Sequence, residues 1–179
     1  DDVFRFKSVA AMTLPEPSPL ACFPVDGLIG SDLFKQLIVV IDGKKKTVTI
    51  TTAEKESAIS LRKMANFTQA GMPIISIQAG SGHNIVCLFD TGYPRFLSLK
   101  KSDFEALKSG SAFEFQSEGS TVGSISVGGT SATKVAQRVS FPLLSIGGTK
   151  FRNVIAETAT PPYTLLGVKL LDYGKVTLD

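Results

Sequence analysis

Histidine, cysteine and long apolar runs are all scarce in this chain of 179 residues. A single histidine, His83, excludes most histidine-based metal sites and leaves any Ser-His-Asp triad with one candidate base. Two cysteines, Cys22 and Cys87, are too few for a zinc finger, an iron–sulfur cluster or a dense disulfide scaffold. No stretch reaches the roughly 18 apolar residues that a spanning helix needs, so no membrane span is expected. Charge of one sign is lacking as well. Lys and Arg number 19 against 16 Asp and Glu, and the net +3 is too weak to suggest a nucleic-acid partner. The chain opens Asp1-Asp2 with no initiator Met, so its true N-terminus, with any leader, is expected upstream.

What is present argues for a packed protein. Hydrophobic residues make up 43% and charged residues 20%, a balance that favours a core over disorder. The length leaves room for one ordinary domain or two small ones. The pattern is mostly of strands. Val39-Val40-Ile41 and Thr47-Val48-Thr49-Ile50 flank Asp42-Gly43 and three lysines as a hairpin. Residues 74–77 and 85–89 flank Gly80-Ser81-Gly82 as a second hairpin, and 58–64 can supply a further strand. More short β-rich runs lie at 113–115, 122–127, 135–141, 143–146, 151–155 and 175–178, punctuated by Gly128-Gly129 and Gly147-Gly148. One helix is expected at 103–108, with Ser102 as N-cap, Glu105 completing a capping box and Gly110 as stop. A short helix can follow Gly30 at 31–37. Many short strands and few helices give an all-β fold class.

An internal repeat organises the rest. Leu28-Ile29-Gly30-Ser31-Asp32-Leu33-Phe34 aligns with Leu165-Leu166-Gly167-Val168-Lys169-Leu170-Leu171. Without a gap, Val39-Val40-Ile41-Asp42 then aligns with Val176-Thr177-Leu178-Asp179. Upstream, Phe6-Lys7-Ser8-Val9 matches Phe151-Arg152-Asn153-Val154, and the first copy carries extra residues around Pro15, Pro17 and Pro19. The chain therefore divides into the closing part of one unit (1–52), a connection (53–71) and a second, complete unit (72–179).

The second unit contains Leu88-Phe89-Asp90-Thr91-Gly92. An apolar strand delivers the Asp, Gly92 permits a tight turn, and Leu165-Leu166-Gly167 follows before a helix-like segment. Here the sequence resembles the retropepsin-like aspartic peptidases, most of all their tandem, two-unit bacterial members. The resemblance covers 72–179 as one whole β-barrel lobe and 4–52 as the end of another. It implies that the two segments cross under an active site, that Asp90 is one of two catalytic carboxylates, and that Thr91 ties two active-site loops together by its hydroxyl. Gly92 would leave space for amides to approach the carboxylate. Gly119, Ser120, Thr121, Val122 and Gly123 would belong to a mobile flap over the substrate.

The implied chemistry is hydrolysis of peptide bonds in a peptide or protein substrate, with no metal and no cofactor. Two carboxylates a few ångströms apart share one proton, so one acts as base and the other as acid on a water held between them. Two departures from the family pattern stand out. Tyr93-Pro94 occupies positions where the family has Ala or Ser and then Ser, Thr or Asp. The chain also holds a single Asp-Thr-Gly, and equal spacing puts the first unit's Asp about fifty residues before Asp1. The chain is thus expected to be a piece that needs a second polypeptide carrying the upstream half-lobe, or a second copy of itself. A catalytically inactive peptide-binding protein of the same fold is the alternative. The family's bacterial members imply an extracytoplasmic location.

Other residues read more plainly. His83 is expected in a solvated hairpin, four strand residues from Cys87 and so about 13 Å away, too far for a dyad. Lys44-Lys45-Lys46 reads as a charged hairpin guarding a sheet edge. Cys87 is expected in the core, either free, or bonded to Cys22 or to a cysteine elsewhere.

Overall fold

The computed structural model describes residues 28–34, 37–52, 65–67, 71–80, 82–121, 125–126, 129–130, 132–158 and 162–178. Cys22, the first-copy residues 6–9, the prolines at 15, 17 and 19, the strand expected at 58–64, and Val122, Gly123 and Gly128 lie outside them. The fold is all-β, as expected. In chain order the strands are β1 (Ile38–Asp42), β2 (Thr47–Thr51), β3 (Ala65–Phe67), β4 (Pro73–Ala79), β5 (His83–Asp90) and β6 (Leu97–Leu99). Helix α1 (Lys101–Ser109) comes next, then β7 (Glu114–Thr121), β8 (Ile125–Ser126) and β9 (Gly129–Thr130). β10 (Lys134–Ile146), β11 (Thr149–Thr158), β12 (Thr164–Gly167) and β13 (Lys175–Leu178) complete the chain. Short 3-10 helices, Ser31–Phe34 and Val168–Tyr173, follow Gly30 and Gly167.

Alternation explains why these runs form a barrel. In β5 the side chains of Ile85, Cys87 and Phe89 are buried, whereas Asn84 and Val86 face outward. β4 shows the same period, with Ile75, Ile77 and Ala79 buried. The strand order β4-β5-β12-β6-β11-β10 closes on itself because β10 also pairs with β4. Phe141, Leu144, Ile146, Leu97, Leu99 and Leu166 fill the interior. A two-residue turn joins β10 to β11, and its Gly147 (φ 53°) and Gly148 (φ 80°) supply the left-handed backbone such a hairpin needs.

Beside the barrel, β13, β1 and β2 form a three-stranded antiparallel sheet. β1 and β2 are the first expected hairpin, and β4 and β5 the second.

Two local expectations are corrected. The helix begins at Lys101 with Lys100 as N-cap, and no side chain caps it, so the Ser102–Glu105 capping box does not form. Asp103 instead accepts a hydrogen bond from Thr164 at 2.7 Å. The runs at 135–141 and 143–146 are one strand, β10. Pro142 is outward-facing, and its ladder partners are absent where Asn153 adopts φ 54°. Gly119, Ser120 and Thr121, expected in a flap, end β7 opposite Ala136, Val135 and Lys134 of β10.

Candidate active site

β5 and β12 run parallel, so their C-terminal ends coincide. The register pairs Leu88 with Leu165, Phe89 with Leu166, and Asp90 with Gly167. The chain leaves β5 at Asp90, passes over the end of β12 and returns as β6 on β12's other side, antiparallel to it. Two amides of the crossing point are bonded to this loop. Gly167 donates to the Phe96 carbonyl oxygen at 2.8 Å, and Val168 to that of Tyr93 at 2.9 Å. The Asp-Thr-Gly loop and the Leu-Leu-Gly strand are thus interlocked at one end of the barrel.

Gly167 is where this crossing is tightest. A Cβ placed there would fall on the Arg95 carbonyl oxygen and 2.5 Å from both Cδ1 and the carbonyl oxygen of Tyr93. A glycine inside an apolar strand is a sequence signal of such a close approach.

Asp90 is half-buried, and Thr91 and Gly92 are exposed. The Gly92 amide donates to Asp90 Oδ1 at 2.8 Å, and the Tyr93 amide to the Asp90 carbonyl oxygen at 3.1 Å. A Cβ on Gly92 would lie 3.1 Å from Asp90 Oδ1, so glycine gives this amide its approach. Among the described residues nothing accepts or donates at the Thr91 hydroxyl. Tyr93 is half-buried, and burial pushes its phenol up from the ordinary tyrosine range. Arg95 pairs with Glu157, which also holds Arg138 at 2.9 Å, so the far side of the loop is pinned to β10 and β11. Phe96 packs edge-on against Phe151, ring centroids 5.5 Å apart.

Behind Asp90, Cys87 is free and fully buried, and burial raises its thiol pKa, with Asp103 adding to the effect. Its β12 neighbour Thr164, also fully buried, accepts from the Lys100 amide at 3.0 Å and donates to Asp103. This floor is inert and well bonded. His83 is half-buried, with its ring packed against Gly110.

The residues expected in a flap are less closely tied to this centre. Gly119 and Ser120 are exposed on the outer end of the β7–β10 ribbon, which shifts register between Arg138 and Val139. Such a bulge bends a ribbon. No hydrogen bond among the described residues joins it to Asp90. Two shallow hollows of about 320 and 340 Å³ lie elsewhere, one under the β1–β2 hairpin and one between Pro94 and Tyr173, and Asp90 lines neither. Among the described residues no three His, Cys, Asp or Glu side chains gather as metal ligands, and no helix is long and apolar enough to cross a membrane.

Chemically, the site offers one carboxylate on a turn, with one oxygen held by an amide and, among the described residues, no partner on the other. Sequence reading reached Asp90, Thr91, Gly92 and the Leu165-Leu166-Gly167 crossing; it missed the Tyr93–Gly167 contact and Glu157.

No protein-family model matches the sequence, and no curated protein matches it. Among solved structures, the chain is similar to a retropepsin-like aspartic protease from Rickettsia conorii, at 18% identity and a TM-score of 0.44, over 64% of this chain and 86% of that one. It is also similar to the EIAV protease complexed with the inhibitor HBY-793, at 18% identity and a TM-score of 0.43, over 60% of this chain and 92% of that one.

Proposed function

We propose that this chain is part of a retropepsin-like aspartic endopeptidase, with Asp90 as one of its two catalytic carboxylates. The observation that carries the reading is the interlock of Asp90 with Gly167. A carboxylate at the end of an apolar strand is ordinary. A carboxylate whose loop straddles a parallel strand ending in glycine, with its own amide donor two residues on, is a preorganised group. In the proposed mechanism Asp90 and a partner carboxylate share one proton across a bound water. The ionised group takes the water's proton as it attacks the peptide carbonyl carbon, and the protonated group delivers its proton to the carbonyl oxygen.

The register of β1 against β13 supports a two-unit arrangement. Val40 pairs with Thr177, and the two are 137 positions apart, as are Gly30 and Gly167. Each is therefore the other's counterpart in the repeat. On either side, Val39 opposes Leu178, the counterpart of Ile41, and Ile41 opposes Val176, the counterpart of Val39. A local two-fold axis through the Val40–Thr177 pair generates this reciprocal pattern. In the proposed assembly that axis also relates the two carboxylates. The partner Asp would then come from a segment seated on Leu28-Ile29-Gly30, on a second polypeptide by preference, or on a second copy of this chain.

Cleavage of a denatured protein substrate by wild type and Asp90→Asn tests the reading. The variant keeps the shape and should lose at least about 100-fold in kcat while remaining folded. Near-normal cleavage by Asp90→Asn would remove Asp90 from the mechanism. The pH profile is expected to be bell-shaped on the acid side of neutral, since a shared-proton pair works only between its two ionisations; full activity at pH 9 would contradict the assignment.

A further inference from the structure

The exposed residues Thr91 and Gly92 have little packing of their own, so the Asp90 turn is fixed by its two ends. One end is β5. The other is Tyr93, a residue that departs from the family pattern. Its amide and carbonyl are both bonded, to Asp90 and to Val168. Its ring lies against Gly167, where no side chain intervenes. Its phenol oxygen is 3.4 Å from the Leu97 carbonyl oxygen in β6, at the long limit of a hydrogen bond. The next residue, Ser98, is 1% exposed, and among the described residues its Oγ has no hydrogen-bond partner. Buried hydroxyls without partners are costly, so this one is a polar spot inside an apolar floor.

We propose that Tyr93 is a positioning residue for Asp90: its ring on Gly167 and its phenol on β6 hold the turn so that the Gly92 amide stays on Asp90 Oδ1. The consequence for rate rests on the peptidase reading; the geometry does not. Were the turn to drift, the amide would leave the carboxylate. The carboxylate would lose its donor, and its other oxygen would no longer point at a fixed place. With Thr91 and Gly92 exposed, the turn depends heavily on this one anchor.

Tyr93→Phe separates positioning from packing, because it keeps the ring and removes the phenol. The full chain, with any partner it retains, is compared as wild type, Tyr93→Phe and the exposed control Tyr163→Phe. The readouts are melting temperature, kcat and KM on a peptide, and the NMR shift of the Gly92 amide. Tyr93→Phe should melt like wild type, keep KM, and lose roughly 3- to 10-fold in kcat, the rate equivalent of one hydrogen bond. Its Gly92 amide should move toward the unbonded position. Tyr163→Phe should change none of these. A Tyr93→Phe protein with wild-type kcat and a wild-type Gly92 amide shift would overturn the proposal. A wild-type protein that cleaves nothing would sink the peptidase reading alone, and the amide signal would still decide on Tyr93.

Discussion

At the scale of single residues, the constraint on Gly167 is space. Its φ of −98° suits any residue, but a Cβ there has nowhere to go except into backbone. Gly167→Ala should therefore destabilise the chain by about 1–3 kcal/mol through overpacking, and should displace the Asp90 loop with it. Gly119 is the contrasting case: among the described residues nothing lies within 4 Å of a Cβ built there, so Gly119→Ala should change stability by no more than about 0.5 kcal/mol. Thermal unfolding of the two variants checks both. Asp42 gives a pH-dependent prediction. Its carboxylate accepts the Lys45 amide at 3.0 Å and lies 3.7 Å from Lys175 Nζ, and these contacts hold its pKa below the ordinary aspartate value. A depressed folded-state pKa contributes stability above the unfolded pKa and loses it as pH falls through the folded one. Wild type should accordingly lose more stability than Asp42→Asn between roughly pH 5 and 2. Equal losses in urea titrations would disconnect Asp42 from acid stability.

Among the secondary-structure elements, what the sequence revealed and what it hid divide along the line between local and distant contacts. β4 and β5 are legible because burial every second residue is written into the apolar pattern itself. The N-terminus of α1 is not. Ser102 and Glu105 have the spacing of a capping box, but Asp103 is engaged by Thr164, 61 positions away in sequence, and nothing near residue 103 announces it. The two readings differ in what mutation should do. Ser102→Ala should be nearly neutral, since no side chain caps this helix. Thr164→Val should cost about 1–3 kcal/mol, because it takes the shared hydroxyl partner from the Lys100 amide and from Asp103 Oδ2 at a part-buried position. Urea unfolding of both variants tests this; a large loss for Ser102→Ala with none for Thr164→Val would restore the local cap. β10 was hidden for a related reason: Pro142 ends most strands, and only the positive φ of Asn153 across the hairpin makes room for it.

For the whole molecule, the repeat was the most informative feature in the sequence, and on the proposed reading it says where a second carboxylate would enter. Asp90 and its crossing strand were legible because both ends of the motif lie within one unit. The anchors of the loop, Tyr93 on Gly167 and Arg95 on Glu157, were not, since they depend on which strands the barrel places side by side. The two copies of the apolar pair now have opposite surroundings. Leu166 is 0% exposed between β5 and β6, whereas its counterpart Ile29 is 70% exposed and the neighbouring Leu28 60%. If the proposed two-fold relation holds, Leu28 and Ile29 are the seat of a strand like β5, carrying the partner Asp. Aspartate at the two counterpart positions should then fail in different ways. Leu166→Asp puts a charge in the core and should prevent folding of the barrel. Ile29→Asp should leave the barrel folded, with wild-type circular dichroism, while abolishing both retention of the partner in native mass spectrometry and peptide cleavage. An Ile29→Asp protein that keeps its partner and its activity would show that the second carboxylate, if there is one, arrives by another route.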